Sequence, residues 1–376
     1  LDLREILADS SVIGISNYIH RVLAGVSTPI RKKVSLRSEC HLDDDIRIDA
    51  PYKKTASQCS RILLTGATGF LGAYLIRSLI RGSCDLPADD PLTIYCLVRS
   101  DSADQAMDRL IRNMKQFKCW EDGFEKHLIP VPGDLSAPNL GLTDETYQEL
   151  AACTDAVIHN GALLNFVFPY EYLRATNVTG TVETLRFACT GNPKYYHYIS
   201  SYSVYDTPNN LGKRVYENDP LRVSTGFSLA YSETKWVSEK LVGIARSRSL
   251  QAVIYRPGDI TGAETGIWAL EDMVSRMLVG MIQMQCIPRT SYCMHMTPVD
   301  YVADAIACIF RRPEAIGHAF NVINPHPVRV RSLVTMARQC GYTIRPVTFL
   351  RWRSMLKSSN SSDNSLAILE CLFEPG

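Results

Sequence analysis

The sequence of 376 residues lacks several features that would assign a chain to a class of proteins at once. Its 12 cysteines include no Cys-x-x-Cys pair and no cluster with histidine, which argues against a metal site and favours buried thiols in a reduced, cytoplasmic setting. No apolar run reaches the length of a membrane span. The net charge of +1, from 40 basic and 39 acidic residues, offers no field for nucleic acid or an anionic membrane.

The chain instead has the content of a globular protein. A hydrophobic fraction of 46% at this length can bury a large core and predicts about two domains. We find no internal repeat. The chain begins at Leu1 without a signal-like segment, and we therefore expect it to be a piece of something longer.

Apolar runs that favour strands alternate with helical patterns from residue 61 onward. Such alternation is typical of an α/β protein with a doubly wound parallel sheet. Two later stretches break the pattern with methionine-rich and aromatic runs, and we expect a smaller, mostly helical lid subdomain there; a methionine stripe at helical spacing is more often core than pocket. The strand-like runs are 62–65, 93–98, 128–131, 156–159, 195–200, 252–256 and 319–323, and the stretches that break the pattern are 264–296 and 325–376.

The first run leads into a glycine turn, in "RILLTGATGFLGAYLIRSL" at 61–79. Gly66 permits a tight turn, Gly69 lets a pyrophosphate approach the backbone, and Gly72 lets the next helix pack on the strand. The N–H groups at the start of that helix would face an anion. The spacing predicts a dinucleotide site, with an ordinary glycine-rich turn as the alternative.

The second run, "TIYCLV", is followed by Arg99, and Arg109 comes a few turns of helix later. An acidic residue at this place suits NAD, whereas an arginine suits the 2′-phosphate of NADP. A guanidinium offers bidentate, charge-assisted hydrogen bonds to phosphate. We therefore predict NADPH as the cofactor; the alternative is a pair of solvated surface arginines.

A candidate for proton transfer lies in "AYSETKWVSEKL" at 230–241, where Tyr231 and Lys235 are four residues apart and share one face of a helix. A nearby ammonium would lower the pKa of the phenol and prepare it as a proton donor. A serine hydroxyl in "YISSYSV" at 198–204 could hold the substrate oxygen. The order of glycine turn, arginine, serine, Tyr-x-x-x-Lys and "RPGDITG" at 256–262 indicates one active site.

In this order of motifs, and in longer stretches, the sequence resembles the extended short-chain dehydrogenase/reductases. Within them it looks like the thioester reductase domains of nonribosomal peptide synthetases and carboxylic acid reductases. The stretches "VIHNGALLNFVFPYEYLRATNVTGT" at 157–181, "SSYSVYD" at 200–206 and "EDMVSRMLVGMIQMQCIP" at 271–288 are similar to the α-aminoadipate reductase branch. The resemblance covers residues from about 58 to about 370 and implies a Rossmann-type sheet.

The resemblance also implies roles for individual residues. Ser201, Tyr231 and Lys235 would be catalytic, with the serine chosen over its neighbours by alignment and strand facing. Asn177 would organise a helix rather than contact the substrate, and no metal is expected. The residues that would bind the cofactor are Gly66, Thr68, Gly69, Phe70 and Leu71 at the pyrophosphate, Asp134 and Leu135 at the adenine, Asn160, Gly161 and Ala162 at the ribose and nicotinamide, and Pro257, Gly258 and Ile260 at the carboxamide, with Arg99, Arg109, Tyr231 and Lys235.

By the same resemblance, NADPH would reduce an acyl thioester on the phosphopantetheine of a carrier domain and release an aldehyde. Further reduction to the alcohol, and the identity of the acyl group, stay open. A carrier domain in cis and an upstream adenylation domain are the expected partners, and a further downstream domain is not excluded. The expected divisions are 1–24 as the tail of the carrier domain, with a plain helical arm as the alternative, 25–57 as a linker, 58–263 with 297–324 as the NADP-binding domain, and 264–296 with 325–376 as the lid.

Two other functions stay open on the sequence. One is a redox-inactive relative that releases its thioester by Dieckmann-type cyclisation, which the intact Ser-Tyr-Lys set and Arg99 disfavour. The other is a sugar epimerase or dehydratase of the extended family, which shares the glycine turn but needs no carrier domain.

Overall fold

The computed structural model describes residues 34–222, 226–359 and 364–373. The expected tail of a carrier domain, residues 1–24, lies outside the described residues. The strands are β1 (Arg61–Thr65), β2 (Thr93–Val98), β3 (Leu128–Pro132), β4 (Ala156–His159), β5 (Tyr195–Ile199), β6 (Ala252–Pro257), β7 (Asp259–Thr261), β8 (Cys286–Pro288), β9 (Cys293–Met294), β10 (Met296–Pro298), β11 (Ala319–Val322), β12 (Val328–Arg329) and β13 (Arg345–Val347).

Helices separate these strands along the chain. Short 3₁₀ turns and one π-helical turn, Ala175–Thr179, complete the regular structure. The α-helices are α1 (Leu36–Glu39), α2 (Phe70–Arg81), α3 (Ala103–Gln116), α4 (Asp144–Cys153), α5 (Tyr170–Arg174), α6 (Gly180–Cys189), α7 (Ala230–Ser247), α8 (Met273–Gln283), α9 (Val299–Phe310), α10 (Val330–Gln339) and α11 (Phe349–Lys357).

Within the described ranges, seven strands form one parallel sheet in the order β11-β6-β5-β4-β1-β2-β3. All residues of β4, β5 and β6 are buried, as expected for strands covered by helices on both faces. The strand order reverses between β1 and β4, which is the place where doubly wound sheets bind dinucleotides. The predicted fold class is confirmed, and each of the seven predicted strands lies within one residue of the observed bounds.

Residues 34–57 follow the surface of the sheet domain, in the segment expected to be a linker. They are held by more than surface contacts, because Leu42 and Ile46 are 1% and 0% exposed and belong to a core cluster beside the sheet. Arg186 on α6 donates to the carboxylate of Asp43 at 2.5 Å. The segment is thus packed into the domain that follows it.

The described residues of the two stretches expected to form the lid, called the lid below, contain a small core of their own. Helices α8, α10 and α11 surround Met281 and Trp352, which are 2% and 1% exposed. Short strand pairs join this region together and to the main domain: β13 pairs with β8, β12 with β9, and β10 with β7 next to the end of β6. Within the described ranges no helix has the length and hydropathy needed to cross a bilayer.

Candidate active site

The glycine turn after β1 and the loop after β4 contact each other at the carboxyl ends of the sheet strands. Gly66 has a φ of 69°, and a Cβ atom at this position would lie 2.8 Å from both Cα and N of Gly161. The N–H of Gly161 donates to Thr65 Oγ1 at 2.8 Å, and Asn160 Nδ2 donates to the carbonyl of Gly66 at 3.1 Å. Only residues without a Cβ fit where these two loops cross.

A buried histidine supports this crossing. His159 Nδ1 and Thr65 Oγ1 are 2.8 Å apart, and His159 Nε2 lies 3.1 Å from Thr181 Oγ1. Burial lowers the pKa of His159 to about 3, so the imidazole is neutral at physiological pH. It ties β1, β4 and α6 together and is not a proton donor to a substrate.

The start of α2 is shaped by its glycines. A Cβ at Gly72 would lie 2.2 Å from the carbonyl oxygen of Gly66, so this glycine lets the helix pack directly on the turn. Gly69 caps the helix without a side-chain hydrogen bond, and Asn113 Nδ2 donates to its carbonyl at 3.1 Å. The N–H groups of the first helical turn are therefore available to an anion.

The residues that follow β2 and β3 lie next along the carboxyl ends of the strands. Arg99 and Arg109 are both exposed, and Arg109 Nη1 donates to the carbonyl of Arg99. Asp134 Oδ1 accepts from the N–H and hydroxyl of Ser136 at 2.8 and 2.7 Å. Partial burial raises the pKa of Asp134, but these hydrogen bonds and Arg99 outweigh it and lower the pKa overall.

The two serines after β5 differ in their contacts. Ser200 is 4% exposed and donates to Glu239 Oε2 at 2.7 Å, so its O–H is not free to donate to a substrate. Ser201 is only partly buried, and its Oγ accepts a hydrogen bond from the N–H of Ser203 at 3.1 Å. That bond occupies one lone pair of Ser201 and leaves its O–H free to donate.

Tyr231 and Lys235 share one face of α7, as expected from their spacing. Lys235 Nζ donates to the carbonyl of Ile199 at 2.7 Å and lies 5.9 Å from the centroid of the Tyr231 ring. Burial lowers the pKa of Lys235 to about 7, although Glu239 opposes this. Burial also raises the pKa of Tyr231, so the prediction of a lowered phenol pKa is wrong in direction. The reason is that the lysine bonds a backbone carbonyl and that burial disfavours its charge.

Two sets of residues support the site from behind; the first was missed from the sequence, and the second is centred on Asn177, which the sequence predicts to organise a helix. The first is the buried ion pair between Arg256 and Glu239, 2.5 Å apart, in which Glu239 also holds Ser200. Two signals point to it: a glutamate four residues after Lys235, and an arginine near the end of an apolar strand. Removing one partner of such a pair leaves a buried charge unpaired.

The second set is centred on Asn177, in the π-helical turn. Its Oδ1 accepts from the N–H of Leu163 at 2.7 Å, and its Nδ2 donates to the carbonyl of Leu163 and to Thr234 Oγ1, each at 3.1 Å. Asn177 thereby ties the loop after β4 to the helix that carries Tyr231. Its role is to position these elements.

A continuous cleft of about 1390 Å³ runs along this edge of the sheet and under the lid. A shallower hollow of about 610 Å³ opens beside Arg99, Arg109 and Asp134. Every residue predicted to bind the cofactor or to act in catalysis lines the cleft: Gly66, Thr68, Gly69, Phe70, Leu71, Arg99, Arg109, Asp134, Leu135, Asn160, Gly161, Ala162, Ser201, Tyr231, Lys235, Pro257, Gly258 and Ile260. In the part of the chain that the structure describes, no group of three or more His, Cys, Asp or Glu side chains could hold a metal ion.

Comparison with known proteins agrees with this geometry. The family model described as "Male sterility protein" matches residues 64–306. A subunit of the linear gramicidin synthase of Brevibacillus parabrevis is 32% identical over 385 residues, covering 100% of this chain and 7% of that protein. The L-2-aminoadipate reductase large subunit of Penicillium chrysogenum is 33% identical over 310 residues, covering 79% of this chain and 22% of that protein.

The crystal structure of the terminal R domain from the myxalamid PKS-NRPS biosynthetic pathway superimposes with a TM-score of 0.82 at 38% identity, covering 90% of this chain and 84% of that one. This chain thus spans most of a reductase domain but a minor part of the multidomain relatives. The resemblance seen in the sequence is confirmed. The chain belongs to the male sterility protein family and, within it, groups with the reductase domains of nonribosomal peptide synthetases and aminoadipate reductases, as an oxidoreductase of the extended short-chain dehydrogenase/reductase fold.

Proposed function

We propose that this chain reduces an acyl or aminoacyl thioester, held on the phosphopantetheine of a carrier domain, and releases it as an aldehyde with NADPH as the reductant. The observation that carries the proposal is the single cleft of about 1390 Å³ that Ser201, Tyr231 and Lys235 share with the glycine turn. The relatives named as reductases support it. Because this chain spans 7% and 22% of the two relatives named above, the activity of the whole protein is part of the proposal.

Ser201 and Tyr231 are suited to hold the carbonyl oxygen of the thioester. The O–H of Ser201 is free to donate because the N–H of Ser203 already occupies one lone pair. Burial raises the pKa of Tyr231, so its phenol keeps its proton at neutral pH and can pass it from Oη to the oxygen as negative charge develops there. Both groups therefore stabilise the oxyanion more than they stabilise the neutral carbonyl.

Lys235 has two expected roles. With a pKa of about 7 it exchanges its proton readily near neutral pH, and its Nζ is anchored to the carbonyl of Ile199 at 2.7 Å. We expect it to hold the ribose of the cofactor and to favour proton donation by Tyr231, from a fixed position at the end of β5.

The residues along the edge of the sheet fit a nicotinamide dinucleotide. The absence of a Cβ at Gly66 and Gly72 lets the turn pack closely on the loop after β4 and on α2. The start of α2 lines the cleft, so its N–H groups are available to a pyrophosphate. When bound, the cofactor supplies a hydride to the carbonyl carbon. Arg99 and Arg109 offer charge to a 2′-phosphate beside Asp134, which is the basis for proposing NADPH rather than NADH.

Reduction of the thioester gives a hemithioacetal, which collapses to the aldehyde and the free carrier thiol. The proposed partners are a carrier domain in cis, an adenylation domain upstream and an optional domain downstream. The pantetheine arm would enter between lid and sheet, since ligands of such folds bind beyond the carboxyl ends of the strands.

The test is the stoichiometry between NADPH consumed and thiol released from acyl-pantetheine thioesters. One NADPH per thiol indicates release as the aldehyde, and two indicate the alcohol. Thiol release without NADPH consumption would favour cyclisation over reduction. If no acyl thioester reacts in either way, the chain is not a thioester reductase, and nucleotide sugars become the next substrates to test.

A further inference from the structure

The wall of the cleft that α8 and α11 contribute is apolar. Met273, Met277 and Met281 lie at four-residue intervals along α8, so they share one helix face, and all three line the cleft. Met281 is also part of the lid core, whereas Met273 and Met277 are only partly buried there. The stripe expected to be core therefore serves both core and cleft. Phe349 and Trp352 on α11 extend the same wall.

Two acidic groups near this wall, Asp272 and Asp259, already have partners in the protein. Asp272 caps α8 and accepts from the N–H and hydroxyl of Ser275 at 2.7 and 3.0 Å. Asp259 accepts from Tyr202 Oη at 2.9 Å and from the N–H of His295 at 3.1 Å. These hydrogen bonds occupy the carboxylates, so they are poorly placed to bind a cationic group of a substrate.

The basic groups along the cleft lie outside α8 and α11: His295 follows β9, and the others are lysines and arginines. In the part of the chain that the structure describes, the lysines and arginines that line the cleft are Arg99, Arg109, Lys213, Arg214 and Lys235. None of them belongs to α8, α10 or α11. An acyl group with a carboxylate at its end would therefore lose its hydration against α8 and α11 without gaining an ion pair to either helix, which is costly.

We propose that the space between the lid and Ser201 is an acyl chamber for a bulky apolar acyl group, and that it discriminates against acyl groups with a charged end, such as α-aminoadipyl. This inference rests on the proposed function and specifies its substrate class. Methionine side chains are flexible and polarisable, so a chamber walled by them adapts to aliphatic chains of different length and to aromatic ends.

The first experiment measures the binding of acyl-pantetheine amides, in which nitrogen replaces the thioester sulfur so that nothing is released. We expect affinity to rise about fourfold for each methylene between butyryl and octanoyl. The α-aminoadipyl amide should bind on the order of a hundredfold more weakly than the hexanoyl amide, which has the same chain length without the charged end. Binding does not depend on hydride transfer, so this result stands even if the chain fails to reduce thioesters.

The second experiment changes the wall. Met277→Lys places a cation on the cleft face of α8 and should reverse the preference, weakening octanoyl and strengthening α-aminoadipyl binding. Met284→Lys is the matched control, because Met284 follows the same helix and packs on the same core but does not line the cleft. It should keep the wild-type preference.

If Met277→Lys fails to fold, Met277→Ala gives the same information, because a larger chamber should shift the best chain to one longer than in wild type. Thermal unfolding and NADPH binding identify variants that are folded. Equal binding of all amides by wild type, or tighter binding of the α-aminoadipyl amide, overturns the acyl chamber. The turnover of the corresponding thioesters tests the proposed function separately.

Discussion

The two ends of the cleft are built in different ways. At the cofactor end the walls are backbone, and a single added carbon has no room: a Cβ at Gly66 would lie 2.8 Å from Gly161, and one at Gly72 would lie 2.2 Å from a carbonyl oxygen. At the lid end the walls are side chains such as Met273, Met277 and Phe349. Side chains in a partly open wall can be exchanged for others of similar volume at small cost.

This difference matches two tasks of the site: binding a cofactor that does not vary, and selecting among acyl groups that do. A dinucleotide has the same pyrophosphate in every member of such a fold, so a binding surface formed by main-chain atoms suits it. Under the proposed function the acyl group is chosen by other domains, so a wall of exchangeable side chains suits it. Substitutions that add a carbon to the glycines of the cofactor end should therefore destabilise the fold, and those at the lid end should shift specificity by degrees.

The largest effect is expected where the two ends meet, at Tyr231. Tyr231→Phe keeps the ring and deletes the proton donor, so turnover of a thioester should fall by about 10²- to 10⁴-fold. NADPH affinity should stay near the wild-type value, measured by titration of the folded variant. Tyr301→Phe is the control, because Tyr301 is 56% exposed on α9 outside the cleft. Unchanged turnover in Tyr231→Phe would mean that the tyrosine only packs in the site.

A smaller effect, on the free energy of unfolding, tests the close packing of the glycine turn directly. Gly72→Ala forces a Cβ against the carbonyl of Gly66 and should lower the free energy of unfolding by about 3 kcal/mol. Gly243→Ala should raise it by about 0.5–1 kcal/mol, because Gly243 lies inside α7 with no atom within 4 Å of the added carbon. Urea denaturation measures both. Similar effects of the two substitutions would show that the turn tolerates a methyl group.

The smallest effect concerns a side chain at the cofactor end. Arg99→Ala should weaken NADPH binding by about tenfold to a hundredfold and leave NADH binding unchanged, because only NADPH carries the 2′-phosphate. Isothermal titration with both cofactors measures this. Arg112→Ala removes an exposed arginine from α3 that does not line the cleft, and it should change neither affinity. Equal affinity of the wild type for the two cofactors contradicts the assignment of Arg99.

Much of the cofactor end could be predicted from the sequence, because its signals are local. Buried parallel strands appear as continuous apolar runs, and Gly66 and Gly72 stand at the spacing that a tight turn and close helix packing require. Tyr231 and Lys235 are neighbours on one helix, so their shared face follows from their spacing alone. These features need no knowledge of distant contacts.

The rest depends on contacts between residues far apart in the sequence. The direction of the Tyr231 pKa follows from burial, and the sequence shows only that a lysine is near. Glu239 and Arg256 belong to different elements, as do Asn177 and Leu163. The distance between the partners along the sequence predicts neither contact. The spacing of the methionine stripe is compatible with core and with pocket, and only the packing of α8 shows that it contributes to both.

Under the proposed function, a hydride passes from NADPH to the carbonyl carbon of a thioester in this cleft. The most direct measurement uses NADPH that carries deuterium on either face of nicotinamide C4, with an acyl-pantetheine thioester and mass analysis of the product. With one of the two labelled cofactors, we predict an aldehyde that carries a single deuterium on its carbonyl carbon, formed together with free thiol. A released product without deuterium from either cofactor would contradict the claim, because the thioester would then have been cleaved by cyclisation or hydrolysis and not by reduction.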